Sequence, residues 1–394
     1  MRKTMTKPSF PIVRVDKLLV VYVLLSVFFG LWMVYSSTAF RMDESGLDSS
    51  ILNLLRFDFG KQVIGVFLGG CAAIYLSSLD PESIYRNQKY VFALLLISVV
   101  LLILVKILGV TANGAKRWLA LPGFTLQPSE LFKPVAAILT AFLVTKENHP
   151  LGVHQTKDWI FVSKLVGLFI IPLLLINNQP DLGTVITITA VILGVLFYSG
   201  LHRNVFLAMS GLALGAFTYA IISSPFRLMR IKNWWSAIQD PLNINDPSGS
   251  GHQIKQALIA VGNGGVFGVG AGAGRQKLYF LPESHTDYIF AVIGEEFGLM
   301  GSLLVGGLFV LIMKQCFKTI SHATTPFLKS LALGLTLLLF VQALVNISVV
   351  LSLFPSKGIP LPFISYGANS AISSLICVGI LLGISKRTHD SSLS

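Results

Sequence analysis

The chain is poor in charge. Only 12% of its 394 residues are Asp, Glu, Lys or Arg, half the roughly 25% of a soluble domain. With 53% hydrophobic residues and a mean hydropathy of +0.73, that scarcity excludes both a soluble globular protein and a disordered one. Cysteine is nearly missing. Cys71, Cys316 and Cys377 lie in or beside apolar runs and form no C-x-x-C pair, so they define no disulfide framework and report no redox compartment. There is no His/Cys metal spacing, no G-x-S-x-G elbow and no Gly-Lys-Ser/Thr phosphate loop. Acidic residues are fewer than basic ones, 18 against 30, for a net charge of +12. In a soluble chain that excess would suggest nucleic acid. Here the membrane is the simpler cause, because cytoplasmic loops collect Lys and Arg, and no nucleic-acid partner is expected.

What the chain does have is long apolar runs. They fall at about 18–37, 62–78, 90–109, 129–145, 160–177, 183–200, 204–223, 288–312, 330–350 and 365–384, each near the length of about 20 residues that a bilayer requires. This predicts an all-α polytopic membrane protein of about ten helices. It comprises a tail over 1–17, a single ten-helix domain over 18–384 and a tail over 385–394, with Thr388–Ser394 polar and expected to be disordered. Arg2, Lys3, Lys7, Arg14 and Lys17 precede the first run. No small-residue cleavage site follows, which favours a retained signal-anchor helix. With the N-terminus inside, 14 Lys and Arg fall in inside segments and 6 in the short outside ones. Both termini are therefore expected in the cytoplasm. The long segment 224–287 would then face outside, as loop with short helices.

A charge at bilayer depth is costly and usually faces the bundle interior, so the few polar groups are informative. Glu130 and Lys133 open the fourth span at i,i+3 spacing, on one side of a helix. Gln179 and Asp181 lie in the turn between spans five and six, Glu283, His285 and Asp287 where the long loop enters span eight, and Ser365 and Tyr366 at the start of span ten. All of these share the outer surface. Glu295 and Glu296 lie about 12 Å deeper at 1.5 Å per residue. Plainer roles compete: an ion pair for Glu130 with Lys133, a helix cap for Asp181 or Asp287, an ordinary loop histidine for His285. The adjacent Glu295 and Glu296 require partners or a proton. The stretch 262–274 is rich in glycine but follows no strand, so close backbone packing or a flexible loop explains it better than a nucleotide site. Lys116, Arg117 and Trp118 suggest an amphipathic interfacial turn with Trp as anchor. The long loop adds Arg227, Arg230, Lys232, Arg275 and Lys277. Such a set is either a headgroup-facing charge patch or a site for an anionic group such as a phosphate.

Four motifs stand in order at span ends: Gly114-Ala-Lys-Arg-Trp-Leu with Gln127-Pro-Ser-Glu-Leu-Phe-Lys133; Gln179-Pro-Asp-Leu-Gly-Thr184; Gln276 through Pro-Glu-Ser-His-Thr-Asp-Tyr to Glu296; and Pro355-Ser-Lys-Gly-Ile-Pro-Leu-Pro-Phe-Ile-Ser-Tyr-Gly367. On these the sequence resembles, over nearly its whole length, the SEDS family (shape, elongation, division and sporulation proteins; FtsW, RodA, SpoVE). Pro-Ser-Lys-Gly before Ile-Pro-Leu-Pro-Phe is similar to the FtsW branch. One departure is Gly367-Ala-Asn-Ser370 where the family usually continues Gly-Gly-Ser/Thr-Ser; Ala368 and Asn369 replace small residues, which bears on packing at the head of span ten.

The resemblance implies a multi-pass glycosyltransferase of the bacterial cytoplasmic (inner) membrane that polymerises lipid II on its outer face at the division septum. Its implied partners are a class B penicillin-binding protein, the crosslinking transpeptidase, and other divisome membrane proteins. The family's key aspartate matches Asp287. A sugar 4-hydroxyl would attack C1 of the growing chain, inverting it and expelling undecaprenyl diphosphate, with Asp287 as general base. Arg117, Lys133 and Lys277, with a divalent cation (Mg or Mn), would counter the leaving charge. Glu130, Asp181, Glu283 and His285, with Trp118, Gln127, Gln179, Ser365 and Tyr366 of the motifs, would position substrate. The competing functions are a lipid II flippase, a RodA-like elongation polymerase and a scaffold that only recruits the crosslinking enzyme.

Overall fold

A computed structural model of the chain describes residues 16–391 apart from 45–57, 113, 122–123, 148–149, 241–248 and 279, and without the side chains of 40–44, 112 and 388–391. The expected tail over 1–17 thus lies almost wholly outside the described residues, as do the side chains of the tail expected at 388–394. The helices are α1 (Lys17–Glu44), α2 (Asp58–Ser78), α3 (Glu82–Arg86), α4 (Gln88–Leu108), α5 (Pro128–Lys146), α6 (Gln155–Asn178), α7 (Leu182–Tyr198), α8 (Arg203–Ile222), α9 (Pro225–Gln239), α10 (Ser250–Gly264), α11 (Ile289–His322), α12 (Pro326–Val350) and α13 (Ala368–Ser391). Among the described residues, nine of these are long and apolar enough to cross a membrane. The expected ten become nine plus α7, whose 17 residues span about 26 Å at 1.5 Å each, just short of a bilayer core.

The helices run alternately up and down, so that the two ends of the described chain fall at one end of the bundle. The described residues of 109–127, 177–184, 223–240, 281–288 and 351–368 gather at the other. α5, α12 and α13 form the centre, their spans 78%, 61% and 83% buried, whereas α8 is 6% buried and faces outward. α2 packs along α13 through small residues. A side chain at Gly65 would strike Ala368, and one at Gly379 would strike the Ala73 backbone, an approach that small-xxx-small spacing permits. At the end that carries the termini, Arg387 pairs with Asp80 and Glu82.

Two features depart from an all-α bundle. Residues 110–126 are not an amphipathic turn. They form an antiparallel meander of β1 (Val110–Ala112), β2 (Ala115–Leu121) and β3 (Phe124–Leu126), with Ala112 paired to Ala115 and Leu121 to Phe124. Asn369 ties this meander to α13: its Oδ1 accepts from Gln127 N at 3.1 Å and its Nδ2 donates to Thr125 O at 2.7 Å. The Ala368-Asn369 departure therefore has a structural use. Second, α11 breaks at Gly298, whose φ of 64° glycine adopts at no steric cost. The glycine-rich stretch after α10 fills the break. Leu299 N and Met300 N donate to the carbonyls of Gly265 and Val266, while Val269 N and Gly270 N donate to those of Glu295 and Glu296. The glycines serve close backbone packing.

Candidate active site

At the end opposite the termini lies a cavity of about 1400 Å³, lined by the meander, the starts of α2, α5, α7 and α13, the 177–183 turn, α9, and the 283–288 and 355–360 segments. It holds Arg117, Trp118, Gln127, Glu130, Lys133, Asp181, Glu283, Asp287 and Tyr366 of the residues singled out in the sequence. Gln179, Lys277, His285 and Ser365 do not line it.

Asp181 caps α7. Its Oδ1 accepts from Thr184 N at 3.1 Å, and its Oδ2 accepts from Thr184 Oγ1 at 2.8 Å and Ser129 Oγ at 3.2 Å. Asp287 does not cap α11, whose first turn has no side-chain cap. Its carboxylate instead lies against Gly358, where a Cβ would come within 2.8 Å of Oδ2. A side chain at 358 would push the carboxylate from its place. Beneath it, the buried Asn346 amide donates to the carbonyls of both Asp287 and Ile359 at 2.8 Å, joining the two turns. Asp287 opens on the cavity but is otherwise enclosed by protein. Desolvation and the nearby Glu283 raise its pKa to about 7, against the lowering influence of Arg230 and Arg117. Glu283 is itself held by Thr286, whose Oγ1 donates to its Oε2 at 2.8 Å.

The cations divide into two groups. Lys133 sits beneath the cavity floor, 2.6 Å from Glu130 Oε1 and 3.2 Å from Gln342 Oε1. Lys277 is buried outside the cavity, 2.6 Å from Glu296 Oε1 and 2.8 Å from Ser36 Oγ. Both are neutralised. Glu295 accepts from the backbone amides of Arg275 and Gln276, so each of the two deep glutamates has its partner. By contrast Arg117, Arg227, Arg230 and Lys357 line the cavity and are held by backbone carbonyls or by none. Arg117 donates to the carbonyls of Gln179 and Pro180, both at 2.8 Å. Arg227 donates to those of Ala220 and Asn177, and Arg230 to that of Ser356. Burial and the charges of Arg230 and Arg227 lower the Lys357 pKa to about 7, and burial also lowers that of Arg230.

The remaining residues build walls. The backbone carbonyl of His285 accepts from Tyr366 N at 2.8 Å, and its ring lies 5.3 Å from that of Tyr366. The hydroxyl of Tyr366 donates to Asp58 at 3.0 Å. Ser365 Oγ accepts from Leu361 N at 2.8 Å, and Gln179 Nε2 donates to Leu102 O at 3.4 Å. Asn346 was not singled out in the sequence, Lys357 and Gly358 stood there only as part of the fourth motif, and Arg227 and Arg230 were noted only among the basic residues of the long loop. Their i,i+3 spacing on α9 was a usable signal. Among the described residues no three His, Cys, Asp or Glu side chains come together to hold a metal ion.

The family of cell cycle proteins named for FtsW, RodA and SpoVE matches residues 16–390. The chain is 37% identical to the probable peptidoglycan glycosyltransferase FtsW of Trichlorobacter lovleyi over 98% of this chain and 96% of that one. It is 34% identical to the stage V sporulation protein E of Bacillus subtilis over 97% and 98%. Among solved structures it is similar to a chain of a peptidoglycan synthase complex described as coordinating polymerization and crosslinking, with a TM-score of 0.71, 22% identity, and coverage of 95% of this chain and 98% of that one. It is also similar to the Thermus thermophilus rod shape determining protein RodA, with a TM-score of 0.65 at 22% identity over 94% and 96%.

Proposed function

The chain belongs to the FtsW/RodA/SpoVE family, and from that premise we propose that it is a peptidoglycan glycosyltransferase, joining lipid II into β-1,4-linked glycan at the outer face of the cytoplasmic membrane. The observation that carries the mechanism is the placing of Asp287 in the cavity, with no capping role and its pKa raised to about 7. A sugar hydroxyl is a weak nucleophile, and a positioned base of matched pKa supplies about 10²–10⁴-fold. Asp287 takes the proton of the acceptor 4-hydroxyl as that oxygen attacks C1 of the lipid-linked donor. The C1–O bond to undecaprenyl diphosphate breaks, and the configuration inverts. The Asn346 amide, bonded to the Asp287 and Ile359 carbonyls, and the close approach of Gly358 set the carboxylate's position. A divalent ion (Mg or Mn) would supply further counter-charge to the departing diphosphate.

The cavity lining belongs to one end of the helices, which favours a polymerase over a flippase, since a flippase needs a polar path to the other end. The relatives named FtsW favour septal synthesis over elongation, and the likeness to a chain of a synthase complex that couples polymerization to crosslinking favours a class B penicillin-binding protein as partner. A fluorescent fusion concentrating at the division site would support the septal role. The mechanism is tested with purified lipid II in detergent, where flipping has no meaning. The protein is expected to make glycan strands, and Asp287→Asn to make none while remaining in the membrane. Near-normal polymerisation by Asp287→Asn would sink the base assignment.

A further inference from the structure

The four cations that line the cavity without a carboxylate partner are the strongest unassigned feature of the molecule. A charged side chain is rarely buried without an opposite charge. Lys133 and Lys277 obey that rule through Glu130 and Glu296. Arg117, Arg227, Arg230 and Lys357, half-buried in the cavity wall, have no such partner: among the described residues no ion pair joins any of them to a carboxylate. They come from three separate segments, yet they converge where the 177–180 turn meets the 355–358 turn. Carbonyls of both turns fix the arginine forks, and the Phe226 ring lies 4.6 Å under the Arg230 guanidinium. Arg230 Nε is buried with no acceptor, as is the neighbouring Ser356 hydroxyl. The arginines repel one another, and burial adds to the cost. So many cations facing one cavity make a positive field that favours an anion among them. Guanidinium groups match the oxygens of phosphate by paired hydrogen bonds, and a cluster of this size suits more than one phosphate.

Building on the proposed glycosyltransferase activity, we propose that Arg117, Arg227, Arg230 and Lys357 form the subsite for the diphosphate of the polyprenyl-linked donor, and that Lys133 and Lys277 take no part in binding it. The site lies on the same cavity as Asp287, so the bound diphosphate would leave into a ready-made positive field.

The probe is undecaprenyl diphosphate, bound to the purified full-length protein in nanodiscs of neutral lipid and read by thermal shift and by inhibition of lipid II polymerisation. Arg227→Gln/Arg230→Gln is expected to weaken binding tenfold or more and to raise the KM for lipid II, with the unfolding temperature of the free protein not lowered, since removing mutual repulsion offsets lost contacts. Arg230→Lys should recover part of the affinity. Arg203→Gln, at the opposite end of the bundle, should bind as wild type. Undecaprenyl monophosphate should bind more weakly than the diphosphate. Unchanged diphosphate affinity in the double variant overturns the proposal. So does equal competition by phosphatidylglycerol, which would make the cluster a headgroup site. Wild-type protein that binds the diphosphate through these residues but polymerises no lipid II leaves the subsite standing and defeats the glycosyltransferase reading instead.

Discussion

At the scale of single residues, chemistry depends on which charges are already spent. Asp181 and Asp287 stand at similar turn-to-helix positions, and either could cap a helix. The structure uses Asp181 as the cap and leaves Asp287 to the cavity. That difference was not legible in the sequence, because capping depends on a backbone turn that both sites could have made. The same holds for the cations: Lys133, Lys277, Arg227 and Arg230 look alike in sequence, and only tertiary partners separate them. Because Asp287 titrates near 7, a base at this position must be deprotonated to work. Activity should rise with pH through about 7 and fall below it. Glu283→Gln removes a like charge that raises this pKa and should move the acid limb to lower pH; a limb that stays in place would count against Asp287 as its source. The raised pKa means that the folded state favours the protonated form, so stability from this group is lost as pH rises through the folded value. Asp287→Asn should therefore be inactive yet melt higher than wild type at pH 8. Asn346→Leu strips two carbonyls of their donor. At about 0.5–1.5 kcal/mol of stability per hydrogen bond, its unfolding temperature is expected to drop, and kcat to fall with little change in lipid II binding as measured by titration.

At the scale of elements, hydropathy made the helices legible, since each must supply its own backbone bonds in lipid. The meander was not legible. Two of its strands have only 3 residues, the 7 of β2 (Ala-Lys-Arg-Trp-Leu-Ala-Leu) do not alternate, and Asn369, far along the chain, holds them in place. The break in α11 was equally hidden, because a glycine in an apolar run marks no particular geometry until the 265–270 backbone is seen to occupy the gap. The Lys277–Glu296 pair fastens this glycine-rich segment to α11 and, through Ser36, to α1. Removing one partner of a buried pair leaves an uncompensated charge, costing about 3–5 kcal/mol. Lys277→Met should lower the unfolding temperature in detergent strongly, and adding Glu296→Gln should restore part of it. A melting curve unchanged in Lys277→Met would mean that the pair carries no load.

At the scale of the whole molecule, the site is the sum of loops from one end of the bundle. Its place was readable from the positions of acids and motifs at span ends, while its shape was not. The excess of Lys and Arg at the opposite end predicts that this end faces the cytoplasm. In a variant freed of native cysteine, a cysteine at Gly114 should react with a membrane-impermeant maleimide on intact cells, and one at Asn87 only after permeabilisation. The reverse pattern would invert the protein. The floor of the cavity has a consequence of its own. Glu130 and Lys133 close it as a neutral pair, with Phe132, Leu335 and Leu339 buried nearby. A vestibule wide enough for two sugars fills with water, and the energised membrane sets about 2.3 kcal/mol per charge per 100 mV across whatever lies beneath. A lone ammonium at that depth would feel the voltage and offer protons a stepping stone. A paired one carries no net charge into that field.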